Sequence, residues 1–270
     1  MEIRNDSVNI EPVDSVAQEA LAPREAFLRK ERFERFSLNE RIQHILLFST
    51  VILLIITGFP LKYPELDWLS AIFFFTGGVG GARIIHRIAA VILLLVFGYH
   101  NLYICTLIYR RRIGLKEIFL MVPTPKDVKD LIQNLRYFLG LSTERPRFDK
   151  FSYMEKFDYW AVYWGMFIMG GSGLVLWFPE FFTQFVKLDI VRIAYIMHSD
   201  EALLAFLALS CWHMYNVHLG PRHFPMNKVW YRGWLTREQM LEEHPLEYER
   251  KLREADAQVQ KGSSWSQERA

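Results

Sequence analysis

Eight histidines occur in the chain, at positions 44, 86, 100, 198, 213, 218, 223 and 244. Most fall inside, or at the mouth of, long apolar stretches, where an ionisable side chain is expensive and marks a functional site by default. His86 and His100 are separated by 14 positions, and His198 and His213 by 15. At 100° and about 1.5 Å per residue both intervals approximate four helical turns, so each helix carries two histidines on nearly one face, about 21–22 Å apart. If the two helices run in the same direction, His86 lies level with His198, and His100 with His213. Two imidazoles per level, with no cysteine or carboxylate set beside them, suit an iron whose other positions a porphyrin fills, not zinc. His44 lies at about the depth of His213 and competes with His100 for it. His218 sits five positions past His213, is expected to point elsewhere, and with His44 offers a third site. His223 and His244 read as surface residues. The plainer reading, polar histidines gluing helices together, is weakened by the two matched pairs.

The elements that would hold these residues are legible in the charge pattern. The 270 residues are 51% hydrophobic and 23% charged, with a mean hydropathy of +0.05. These averages hide four charge-free stretches, Ile42–Leu61, Ile88–Tyr109, Tyr159–Pro179 and Ala202–Leu219. Each has about the 20 residues needed to cross a bilayer. The pattern excludes a soluble enzyme, a disulfide scaffold and a disordered chain. The expected fold class is all-α: an integral membrane bundle of four helices, with spans at about 42–61, 82–109, 159–179 and 191–219. A leader of residues 1–40 precedes the span domain, 41–225, and a charged tail, 226–270, follows it. Eleven Lys and Arg residues lie between the second and third spans, against three and two in the other connections. The positive-inside rule then puts both termini in the cytoplasm.

Within the flanks, residues 23–36 read as a helix. In the long loop Val128, Leu131, Ile132, Leu135 and Phe138 recur at helical spacing, as in a helix lying at the membrane surface. The tail reads as helical near Thr236–Ala255, with its last dozen residues unstructured. Cys105 and Cys211 are lone span residues outside any CxxCH motif, which excludes covalent haem attachment and iron–sulfur clusters. Arg83, Arg87 and Arg192 at one level, and Arg35, Arg41 and Arg110–Arg112 at the other, are candidate partners for anionic propionates. Gly58, Gly98, Gly165, Gly170, Gly171 and Gly173 suit either close helix packing or a flat macrocycle. Asp200 and Glu201 are acids beside His198; Glu201 is a candidate for proton exchange or for anchoring a partner subunit.

The segments NERIQH, TGFPLKYP, GARIIHR, IVRIAYIMH, WHMYNVHLGP and EEHPLEYER resemble the membrane cytochrome b subunits of respiratory formate dehydrogenases, nickel–iron hydrogenases and thiosulfate reductases. The resemblance covers about residues 38–250. It implies haem ligands at His44, His86, His198 and His213, paired His86 with His198 and His44 with His213. HRIAAVILLLVFGYH is instead similar to the second span of cytochrome b in bc-type complexes, where both histidines are ligands. The partner of His213 therefore stays open between His44 and His100. The resemblance further implies two b haems, or three, and electron transfer in a bacterial inner membrane. The electrons would pass between a catalytic, multihaem or iron–sulfur partner subunit and menaquinone or ubiquinone. It puts the quinone near the entry of span three, FSYMEKFDYW, where Tyr153 and Glu155 are candidate hydrogen-bond or proton partners. Substrate chemistry would sit on the partners, since no domain here could hold their cofactors, and nothing suggests nucleic acid. The alternatives are a non-redox membrane anchor and a transmembrane electron carrier that uses no quinone.

Overall fold

The computed structural model describes residues 23–221 and 223–267. The leader before residue 23, and residues 268–270 of the expected unstructured end, lie outside the described residues. Four helices are long and apolar enough to cross a membrane. They are α1 (Leu38–Lys62), α2 (Gly78–Tyr109), α4 (Tyr153–Trp177) and α5 (Leu188–Leu207), with α3 (Pro125–Phe138) in the long loop. Two π-helical segments, Ala208–His213 and Tyr215–Leu219, prolong α5. A 25-residue helix rises about 37 Å, more than the hydrocarbon thickness of about 30 Å.

Helix starts depend on caps more than on hydropathy. Ser37 and Glu40 form a reciprocal capping box that opens α1, and Ser152 with Glu155 opens α4. Each satisfies backbone N–H groups that a helix start leaves unpaired. The second box starts α4 six residues before its charge-free stretch, so Glu155, Lys156 and Asp158 are helical. The bundle consists of two hairpins, α1 with α2 and α4 with α5, with few contacts between them. Lys62 crosses this division, donating to the Ser199 carbonyl at 3.0 Å and to Asp200 at 2.9 Å.

Helix α3 turns its polar side to the protein. Lys156 pairs with Asp127 at 2.8 Å, and Asn134 donates to the Tyr153 hydroxyl. Val128, Ile132, Leu135 and Phe138 remain exposed, as on a helix resting on lipid. Burial alone would raise the Asp127 carboxyl, but hydrogen bonds from Lys156 and Thr124 and the Lys156 charge hold it below the ordinary aspartate value. A depressed acid stabilises the folded form above its unfolded pKa and loses that contribution as pH falls through the folded one. Helix α3 is therefore expected to stay docked on α4 at neutral pH and to loosen in acid below the ordinary aspartate range. Distances between spin labels on α3 and α4, followed through an acid titration, check this.

The two flanks form one small cap. Residues 23–29 are helical, but the expected helix over 23–36 stops there. Strand β1 (Arg32–Glu34) pairs antiparallel with β2 (Trp234–Thr236), opposing Phe33 to Leu235. Three-residue strands do not hold alone. Here Phe33, Leu235, Met240, Val229 and Tyr248 make a buried core, joined by Phe27. The tail contributes α6 (Arg237–Glu243) and α7 (Pro245–Gln267). Helix α7 thus occupies positions expected to be unstructured, through Gln267.

Candidate functional site

At the loop end of the bundle, between the hairpins, the rings of His86 and His198 lie 6.3 Å apart, centre to centre. Each is held from behind in the same way by the other helix of its own hairpin. On α1, Thr57 gives its hydroxyl proton to the Leu53 carbonyl, and its oxygen lies 3.0 Å from His86 Nδ1. On α4, Ser172 gives its proton to the Ile168 carbonyl, and its oxygen lies 3.1 Å from His198 Nδ1. A hydroxyl whose proton is committed can only accept, so both Nδ1 atoms carry hydrogen and both Nε2 atoms keep a lone pair. That is the tautomer a metal-binding imidazole needs, fixed by the outer partner. The next residue on each helix is glycine. A Cβ at Gly58 would meet His86 Cε1 at 3.1 Å, and one at Gly173 would meet His198 Cε1 at 3.2 Å. Metal–nitrogen bonds of about 2 Å, with about 1.2 Å more to each ring centre, would set two coordinated rings just over 6 Å apart.

At the end bearing the termini, His213 Nδ1 lies 2.9 Å from the Asp158 carboxylate, which leaves Nε2 as the free nitrogen there too. His44 is within electrostatic reach of His213 and His218. His44 and His218 each have a buried Nδ1 with no hydrogen-bond partner among the described residues. The rings of His213 and His218 are 6.3 Å apart. The expectation that His218 points elsewhere is thus corrected: in a π-helix the hydrogen bonds run from i to i+5, so residues five apart share a face. Among the described residues no three His, Cys, Asp or Glu side chains converge as a bare metal site would require. Both levels offer an imidazole set, the donor chemistry that suits haem iron.

The model of the prokaryotic cytochrome b561 family matches residues 35–232. The chain belongs to that family. Two curated relatives from Escherichia coli K12 are similar to this cytochrome b561-type chain. It is 24% identical over 215 residues to the cytochrome b556(fdo) subunit of formate dehydrogenase, covering 77% of this chain and 84% of the relative. It is 21% identical over 183 residues to the cytochrome b556(Fdn) subunit of the nitrate-inducible enzyme, covering 65% and 73%. Family membership implies haem b, a multi-pass membrane protein and electron transfer in the membrane.

Other candidate residues of this b561-type chain fall in different settings. Hydrogen bonds engage both ring nitrogens of His100, from Nδ1 to Gln43 at 2.8 Å and between Nε2 and the Tyr159 hydroxyl at 3.3 Å. It is therefore joined to α1 and α4, not to His213. Glu155 is tied to Ser152 and Arg35, and Tyr153 to Asn134. Arg83 and Arg87 are exposed, the latter 5.1 Å above the Trp177 ring. Asp200 is paired with Lys62; among the described residues no hydrogen bond or ion pair holds Glu201. His244, expected at the surface, is buried and bonds the Asp149 carbonyl, because the cap closes over it. His223 lies 3.3 Å from Glu243. Gly98, Gly165 and Gly171 face open space. Sequence reasoning passed over Thr57, Ser172 and Asp158. The available signal was a hydroxyl–glycine pair inside each of spans one and three, Thr57-Gly58 and Ser172-Gly173.

Proposed function

We propose that this chain holds two b haems, one between His86 and His198 and one between His44 and His213. With them it carries electrons across a bacterial inner membrane between a partner redox subunit, of the formate dehydrogenase type, and menaquinone or ubiquinone. The observation that carries the reading is the repeated hydroxyl–histidine–glycine arrangement at the loop-side pair, with matched tautomers and a ring spacing of 6.3 Å. His100, with both nitrogens engaged, is left out of the ligand set. His218 is the spare of the termini-side cluster, since His213 serves one partner. Haem iron supplies one-electron chemistry. Thr57, Ser172 and Asp158 orient the imidazoles. Arg83 and Arg87 flank His86 on α2 and would be the cations available to propionates of a haem held there. The cytoplasm is on the termini side, where the quinone head approaches the entry of α4 beside Tyr153 and Glu155. Glu155, locked by Arg35, positions that entry, and Glu201 is the acid available for proton exchange on the loop side.

A haem-to-protein ratio of two, with a b-type reduced-minus-oxidised spectrum, is the expected result; a purified chain without haem would leave the anchor alternative standing. Thr57→Val together with Ser172→Ala removes both orienting hydroxyls while keeping the ligands. Loss of such outer partners costs about 10–100-fold in metal affinity. The double variant should lose the loop-side haem by that factor in a haem-transfer assay and retain the other.

A further inference from the structure

His100 sits in a hydrogen-bond chain that joins three helices. From α1, Gln43 gives its amide N–H to Asn39 and presents its oxygen to His100 Nδ1. Beyond the imidazole, Nε2 meets the Tyr159 hydroxyl, Tyr159 meets Tyr163 at 3.2 Å, and Tyr163 donates to the Asn101 oxygen at 3.1 Å. The amide of Asn101 is committed to the Phe97 carbonyl, so its oxygen can only accept. The chain thus ends on an acceptor at both sides. Four hydrogen bonds link Gln43, His100, Tyr159, Tyr163 and Asn101, and each needs one proton. A neutral imidazole and two phenols supply three between them. The network is one proton short.

We propose that His100, Tyr159 and Tyr163 form a proton-loading site that takes up one proton when the haem that His44 and His213 would hold is reduced, and gives it back on reoxidation. The inference rests on the haem reading above. The chain meets that pair's neighbours at two points: Gln43 directly precedes His44, and Tyr159 directly follows Asp158, which binds His213. A proton from water on the termini side adds to the Nε2 lone pair of His100. The O–H bond of the hydronium that delivers the proton breaks as the N–H forms; the new N–H donates to Tyr159, whose own proton turns to Tyr163, so all four hydrogen bonds are made. The electron comes from the partner subunit and offsets the imidazolium charge. Groups facing His100 are Glu40 from α1, held in the Ser37 cap, the two phenols from α4, and Tyr99 one residue before it, which accepts from Asn39. Glu40 is the one acid among them.

Redox titration of the haem-loaded complex at a series of pH values tests this. The termini-side midpoint should fall with pH by about 59 mV per unit, the tenfold-per-unit proton dependence for one electron. Tyr163→Phe keeps His100 but leaves two bonds and two protons, so its midpoint should be flat. Infrared difference spectra should show an imidazolium signal on reduction, absent in His100→Phe. A polar network that only glues helices would alter stability in these variants and leave the slope unchanged. A flat wild-type midpoint, as reversed Gln43 and Asn39 amides would give, or an unchanged slope in Tyr163→Phe, overturns the proposal. A chain without haem in its optical spectrum overturns the functional reading instead.

Discussion

His198→Ala will halve the haem content of the purified chain and stop electron transfer across the membrane. His198 has no substitute at its level. Its Nδ1 is held by Ser172, its ring faces His86 at 6.3 Å, and the nearest histidine on its own helix, His213, is about four turns away. Loss of an orienting partner alone costs up to about 100-fold in metal affinity, so loss of the ligand should exceed that. His86→Ala should reproduce the phenotype, because the two rings would hold the haem together and neither replaces the other. His100→Ala should not, and the contrast decides the ligand set. Haem per chain, with dithionite reduction compared with reduction through the partner subunit, reads out the three variants. Retention of two haems in His198→Ala would sink the pairing.

How far the sequence reached depended on the range of the signal. The four spans were legible because charge is excluded from about 20 residues at a time, and the levels of the histidines because helical rise is constant. The match between the two helices was less legible. Fifteen α-helical residues from His198 would turn His213 past its face, whereas fourteen take His100 short of it. The π-helical turns from Ala208 onward rotate the chain less per residue and bring His213 back toward His198's face. No side-chain pattern announces a π turn. Thr57 and Ser172 were invisible for another reason: a hydroxyl in an apolar helix ordinarily bonds its own i−4 carbonyl, as both do, and only the facing imidazole gives it a second role. The cap was missed because its strands are three residues long and 200 positions apart. Arg35, read as a propionate partner, is instead the centre of that cap.

Arg35→Ala should detach the cap while leaving the loop-side pair intact. The Arg35 side chain is only 5% exposed. Its guanidinium donates to Glu247 at 2.8 Å, to the Lys150 carbonyl at 2.5 Å and to Glu155 at 3.3 Å. It therefore ties β1 to the tail helix α7, to the loop before α4 and to the capping residue of α4. Removing one partner of a buried ion pair costs about 3–5 kcal/mol, because the remaining charge stays desolvated. Lys251, 2.9 Å from Glu247, offsets part of this, which favours the lower end, about 3 kcal/mol. A Lys at position 35 would restore the charge but not the fork that meets three acceptors in different directions, so Arg35→Lys should recover only part of the loss. The cap core is small, and a loss of that size should open it well below the melting of the spans. Protease cleavage within residues 229–260 should rise sharply in Arg35→Ala. A haem held between His86 and His198 should be unchanged, and one held at His44 should loosen, since α1 begins three residues after Arg35. Equal protease resistance in wild type and variant would mean that the aromatic core, and not the arginine, holds the two flanks together.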